Sequence, residues 1–237
     1  MVCYRLFALA VLSLIALSTV QSKAEDIVAS WDTVKLPAAP PLKAVKLDPR
    51  RTALLLLDFD VKNCNPEKRV RCSESLPAVA ALLADARSRG LLVVYSTVAT
   101  GSMQDVPPVL AAKPGERFVR AGVDKFFHTD LADLLKARNI HSVIVTGTSA
   151  HGAVFYTASA AALRGLQTVV PVDGMSADDP FAELSAAWIL VNAPASVSTN
   201  VIVTRSNLIR YSSNQERRRN PRCGGFYGAS SSPRPWC

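Results

Sequence analysis

VIVTGTSAHGAVFYTASAAALRGL, Val143 to Leu166, is the stretch on which the fold turns. A β-branched run gives way at Gly147 to a turn of small polar residues, and then to an alanine-rich segment suited to close helix packing. Strand, turn and helix in that order form the repeating unit of α/β proteins, which bind ligands at the carboxyl ends of their parallel strands. The residue that opens the helix, where a nucleophile would stand, is Ala153.

The same alternation extends in both directions. TALLLLDFD, Thr52 to Asp60, reads as a strand buried on both faces and ending in acid. LPAVAALLADARSRG, Leu76 to Gly90, has helical spacing with Gly as its stop, and LLVVYST, Leu91 to Thr97, is the next buried strand. A turn-rich loop, Gly101 to Glu116, leads to the helix TDLADLLKARNI, Thr129 to Ile140, where a capping Thr precedes Leu131, Leu134 and Leu135 on one face. TVVPVDGMS, Thr168 to Ser176, predicts another strand. Pro180 to Ala193 predicts a helix with Pro in its first turn, and NVIVTRS a final strand. Strands alternating with helices predict a mainly parallel sheet covered on both faces, a three-layer α/β/α sandwich.

Composition bounds what surrounds this domain. In 237 residues, 49% of them hydrophobic, one sizeable core fits and a second full domain does not. Arg5, the apolar run Leu6 to Leu17 and the small residues around Lys23 predict a signal peptide over residues 1–24. That run is shorter than the roughly 20 residues that span a bilayer, so no stable membrane span is expected after cleavage, and the destination is periplasmic or secreted. An extended Pro-rich lead covers 25–50, the domain 51–206, and a basic disordered tail 207–237. The net charge of +8 is confined to the ends: residues 205–237 carry seven Arg against one Glu, residues 1–24 carry Arg5 and Lys23, and the body between is neutral. With no aromatic-lined basic face in the body, no specific nucleic-acid partner is expected. Cys3 leaves with the signal peptide, and Cys64, Cys72, Cys223 and Cys237 remain. In an exported chain Cys64 and Cys72 can close a short ring or stay free thiols, and spacing leaves both open.

Asp58, behind four leucines, stands where a buried strand emerges. Desolvation there would hold a carboxyl protonated as a general acid, and the same position suits an Asp that caps a helix or binds loop amides. His128, His141 and His151 lack metal-ligand spacing, and neither metal nor cofactor is expected. Ser149 and His151 do not form a glycine-flanked serine elbow. Tyr156 and Thr157 read as packing residues.

TALLLLDFD, followed by VRAGVDKFFHTDLADLLKARNIHSVIVTGTSAHGAVFYTASAAALRGLQTVVPVDGMSA, resembles the isochorismatase-like (cysteine hydrolase) superfamily over roughly Thr52 to Thr204. The resemblance implies a sheet of about six strands, frequent dimers or tetramers, a small-molecule substrate, and an Asp, Lys, Cys site at three strand ends. The family Asp falls on Asp58. The family Lys falls on Arg120 and the family Cys on Ala153, both departures. Without a thiol no thioester forms. Arginine keeps its charge but does not shuttle a proton as a perturbed lysine does. Lys125, in the same loop, reads either as a stand-in or as a surface lysine. The resemblance further implies a cis peptide at Thr148-Ser149 and an oxyanion-type turn built from the amides of Ser149 and Ala153, for which alanine serves as well as cysteine. True isochorismatases lack the thiol and are thought to protonate a vinyl ether with the Asp, a precedent for Asp58 as acid. The expectation is an isochorismatase-family hydrolase, or a catalytically inactive small-molecule-binding protein on the same scaffold.

Overall fold

The computed structural model describes residues 26–62 and 64–213. The expected signal peptide, Cys3, Cys223, Cys237 and the tail from 214 onward lie outside those residues. The described residues divide into two compact units, one ending at Pro37 and the other beginning at Ala38. In the first, α1 (Ile27–Ser30) is capped by the Asp26 side chain, which accepts from the Ala29 amide.

The second unit is built on parallel strands. In chain order they are β1 (Val45–Leu47), β2 (Thr52–Leu57), β3 (Leu92–Thr97), β4 (Arg117–Arg120), β5 (Ser142–Thr148), β6 (Gln167–Pro171), β7 (Met175–Ser176), β8 (Val201–Thr204) and β9 (Ile209–Tyr211). The main sheet runs β4-β3-β2-β5-β6-β8, with the short β7 also paired to β5, and β1 and β9 form a separate two-stranded ladder. The helices are α2 (Val70–Ser88), α3 (Leu131–Ala137), α4 (Phe155–Leu163), α5 (Pro180–Asn192) and α6 (Ser196–Asn200).

Central strand β2 is buried along its whole length. Successive side chains point to opposite faces, so Ala53, Leu55 and Leu57 join one cluster with Leu131, Leu135, Ala158, Ala161 and Leu190, while Leu54 and Leu56 join another with Val79, Leu82 and Leu83. Each such leucine contributes about 1.5–3 kcal/mol on leaving water, and the two clusters make the three layers. The α/β/α sandwich expected from the alternation is the fold observed.

Local departures have local causes. The helix expected from Leu76 begins at Val70, with no side-chain cap from Arg69, and carries Pro77 inside it at an exposed position. Its start is fixed instead by a disulfide joining Cys64 to Cys72 in the first turn, which resolves the choice that spacing left open. The single strand expected over 168–176 is two, separated by a 3-10 turn at Val172–Gly174 next to Pro171, a residue that cannot donate to a ladder. The lead and tail readings, 25–50 and 207–237, each pass over a strand, because β1 pairs with β9 from Val45↔Ile209 to Leu47↔Tyr211. Three-residue strands are too short to show a period.

Candidate active site

The carboxyl ends of β2, β3 and β5 lie side by side, since Leu57 is in register with both Ser96 and Gly147. Gly147 is demanded there: its φ is +152°, and a Cβ would lie 2.4 Å from the Leu57 carbonyl oxygen. Asp58, one residue beyond β2, adopts a φ of 56°, a left-handed conformation that Asp tolerates better than most residues. Its amide donates to the Ser96 carbonyl at 3.0 Å, which turns the chain and aims the carboxylate across the strand ends.

That carboxylate has two side-chain partners. Lys125 Nζ donates to Asp58 Oδ2 at 2.7 Å, and Ser96 Oγ donates to Oδ1 at 3.1 Å. The Lys125 side chain is 0% exposed and that of Asp58 14%. The ammonium also donates to the carbonyls of Gly122 at 2.7 Å and Ala121 at 3.3 Å. Three donors therefore meet three acceptors, and the buried cation is fully satisfied. Burial pushes the Asp58 carboxyl above the ordinary carboxylate range, against the opposing pull of Lys125 and Ser96.

Two threonines hold the lysine loop. Thr157 Oγ1 on α4 accepts from the Lys125 amide at 3.2 Å, and Thr129 Oγ1 donates to the Lys125 carbonyl at 2.6 Å. Thr157, expected only to pack, thus tethers Lys125 to the helix that follows the turn.

Arg120, the position matched to the family lysine, is not brought to Asp58. It is exposed, its Nε donates to the Gly101 carbonyl at 2.9 Å, and its guanidinium lies 5.0 Å from the Phe118 ring centre. Because Arg120 closes β4, in register with Thr97, strand β3 stands between it and β2. Lys125, which reads from sequence as stand-in or surface lysine, is the residue whose ammonium reaches Asp58.

On the other side of Asp58 is the turn. The Thr148-Ser149 peptide is cis. The Ser149 carbonyl accepts from the amides of Gly152 and Val154, and a Cβ on Gly152 would lie 2.6 Å from Ser149 Oγ. Ala153 is buried in the apolar cluster of the α4 face, and its methyl offers no nucleophile. Thr148 Oγ1 accepts from Arg69 at 3.0 Å and donates to the Ser176 carbonyl at 3.3 Å, so its hydroxyl serves the turn's rear support. Arg69, which pairs with Asp178 at 2.7 Å, and Ser96 are participants that sequence reading passed over, while Thr157 read there only as a packing residue. Only Ser96 left a signal, a polar residue ending an apolar strand.

Among the described residues no group of three His, Cys, Asp or Glu side chains could hold a metal ion, and no helix is long and apolar enough to cross a membrane.

The isochorismatase domain profile matches residues 52–202. No curated protein matches the sequence. Among solved structures, an isochorismatase family protein from Desulfovibrio vulgaris superposes with a TM-score of 0.60 at 20% identity, covering 67% of this chain and 95% of its own. A cysteine hydrolase from Pseudomonas syringae gives 0.59 at 21% identity, covering 72% and 95%. An N-carbamoylsarcosine amidase from Thermoplasma acidophilum gives 0.57 at 19%, covering 66% and 97%. At such identities the likeness extends to the fold.

Proposed function

Since the chain belongs to the isochorismatase family, we propose that it is an exported hydrolase-like protein that takes a small molecule at the carboxyl ends of β2, β3 and β5. One observation carries the reading: the Asp58–Lys125 pair beside the turn that follows β5. In this reading Asp58 is the general acid, Lys125 holds the charge of its conjugate base, a water is the nucleophile, and the turn's amides polarise a carbonyl or carboxylate. Ala153 directs the chemistry away from a thioester and toward proton-initiated cleavage, for which a vinyl ether is the fitting bond class. The Cys64–Cys72 disulfide supports a periplasmic or secreted location, because such bridges persist in oxidising compartments.

Screening the purified protein against amides, ureides and vinyl ethers, beside Asp58→Asn, tests the reading. The expected result is turnover that Asp58→Asn abolishes and that falls as pH rises through a pKa above the ordinary carboxylate value of about 3.9, since the acid must be protonated to donate. Turnover indifferent to Asp58→Asn removes the residue from the mechanism. Ala153 also favours a second reading, a binding protein without turnover. Its signature is saturable binding of one of these compounds with no product, weakened by Asp58→Asn.

A further inference from the structure

The end of the sheet opposite Asp58 carries a cleft of about 470 Å³, lined in part by Arg50, Arg87, Lys113, Gly115, Glu116 and Arg138. We propose that this cleft binds a small anion carrying two or more charges, held by Arg50, Lys113 and Arg138. The inference is independent of the Asp58 site, which lies at the carboxyl ends of the strands.

Topology gathers the cations. Arg50 lies just before β2, Arg87 in the last turn of α2 ahead of β3, Lys113 in the loop before β4, and Arg138 at the end of α3 ahead of β5. Those four strands are neighbours in the order β4-β3-β2-β5, so four successive loops form one continuous rim. Four cations and one carboxylate line the cleft.

The one carboxylate is already neutralised. Arg87 grips Glu116 with Nε and a terminal nitrogen, each at 2.8 Å, and the Lys113 amide donates to Glu116 at 2.7 Å. Burial pushes Glu116 up, yet Arg87 and that amide outweigh it and hold the carboxyl below its ordinary range. Arg50, Lys113 and Arg138 form no ion pair among the described residues. The nearest carboxylate in sequence, Asp48, accepts from the backbone amide of Arg50.

Cations at helix C-termini often do no more than complement the helix dipole, and that accounts for Arg87 and Arg138. It does not account for Arg50 or Lys113, which sit at no α-helix end yet line the same cavity. A concave wall with excess positive charge concentrates anions, and guanidinium forks match phosphate and carboxylate oxygens. The cleft's volume fits a small molecule and not a polymer groove.

Inorganic pyrophosphate and citrate, titrated separately into the full-length protein by calorimetry, are the probes. Tighter pyrophosphate binding identifies a phosphorylated ligand, tighter citrate binding a polycarboxylate, and either supports the site. In the Arg50→Glu/Arg138→Glu variant binding falls at least tenfold while the thermal midpoint holds. Lys113→Gln gives a smaller loss with the same fold, and keeps the test decisive if the double variant misfolds. Raising salt from about 0.02 M to about 0.2 M weakens wild-type binding severalfold. Absence of binding by both probes overturns the proposal. So does binding that survives in the rim variants, or that disappears only when Arg217, Arg218 and Arg219 of the C-terminal segment are replaced by Ser.

Discussion

Asp58 and Glu116 stand at opposite ends of one sheet, each a partly buried carboxylate bound to a basic side chain. At the carboxyl end a lysine ammonium meets one carboxylate oxygen and two main-chain carbonyls, and Asp58 is raised. At the amino end a guanidinium takes both oxygens of Glu116 and also donates to Tyr95 Oη at 2.9 Å, and Glu116 is lowered. Fork-to-fork pairing fixes the charged form. Point pairing leaves desolvation the larger influence, and the carboxyl is raised. Similar residue types thus leave the carboxyl raised at one end and lowered at the other, and the raised one stands at the end where parallel sheets bind ligands.

The largest test of this contrast is Lys125→Met. It strips the cation from a buried pair and is expected to cost about 3–5 kcal/mol in urea unfolding, because Asp58 is left desolvated and uncompensated. Its carboxyl rises further, and any turnover disappears. A loss below about 1 kcal/mol would mean that water reaches the pair and that the distinction from the amino end fails.

Next in size is Cys64→Ser/Cys72→Ser. A ring with a separation of 8 residues constrains the unfolded chain by about 2–3 kcal/mol in the loop-entropy account. Arg69 lies inside that ring and donates to Thr148, so amide exchange should quicken at Gly147 to Ala150 and stay unchanged at Leu91 to Val93. Equal quickening at both ends would separate the disulfide from the site.

Arg87→Met is expected to cost about 1–2 kcal/mol, less than Lys125→Met, because Glu116 keeps the Lys113 amide and the Tyr95 hydroxyl keeps the Leu110 carbonyl as partners. Catalysis, where found, should not change.

The pH dependence has opposite signs at the two ends. Asp58, raised in the fold, binds its proton more tightly folded than unfolded, so its contribution to stability is full below the unfolded value of about 3.9 and declines as pH rises through the folded one. Glu116, lowered in the fold, contributes stability above its unfolded pKa and loses it as pH falls through the folded one. Urea unfolding across roughly pH 3 to 7 should show the Asp58→Asn variant losing the decline and Glu116→Gln losing the acid-side fall. Neither slope should exceed about 1.4 kcal/mol per pH unit, the limit set by the binding of one proton. Two variants with slopes of the same sign would break the comparison.

What was legible in the chain follows the same divide between regular and irregular structure. Leu54 to Leu57 and Val143 to Thr146 announce buried strands because periodicity is a property of many residues together, and their order settles the layers. Asp58 is legible for the same reason, as the acid that ends such a run. The lysine is not, because its place is decided in a non-repeating loop. There the carbonyls of Ala121 and Gly122 turn inward and Thr157 reaches across 32 positions to hold the Lys125 amide. Arg69 is hidden likewise, since its contact with Thr148 spans 79 positions.

Arg120 is where that limit yields its smallest and sharpest test. The sequence reading gives it the family lysine's place, yet strand β3 stands between its strand and β2, its Nε is spent on the Gly101 carbonyl and its guanidinium lies over Phe118. Arg120→Gln is therefore expected to change stability by no more than about 0.5 kcal/mol, as exposed substitutions do, and to leave the pH dependence due to Asp58 in place. A large loss of ligand binding with unchanged stability would mean that the arginine swings toward the carboxylate when the site fills. Asp58 would then answer to two cations instead of one, and its contrast with the singly clamped Glu116 would rest on the bound state alone.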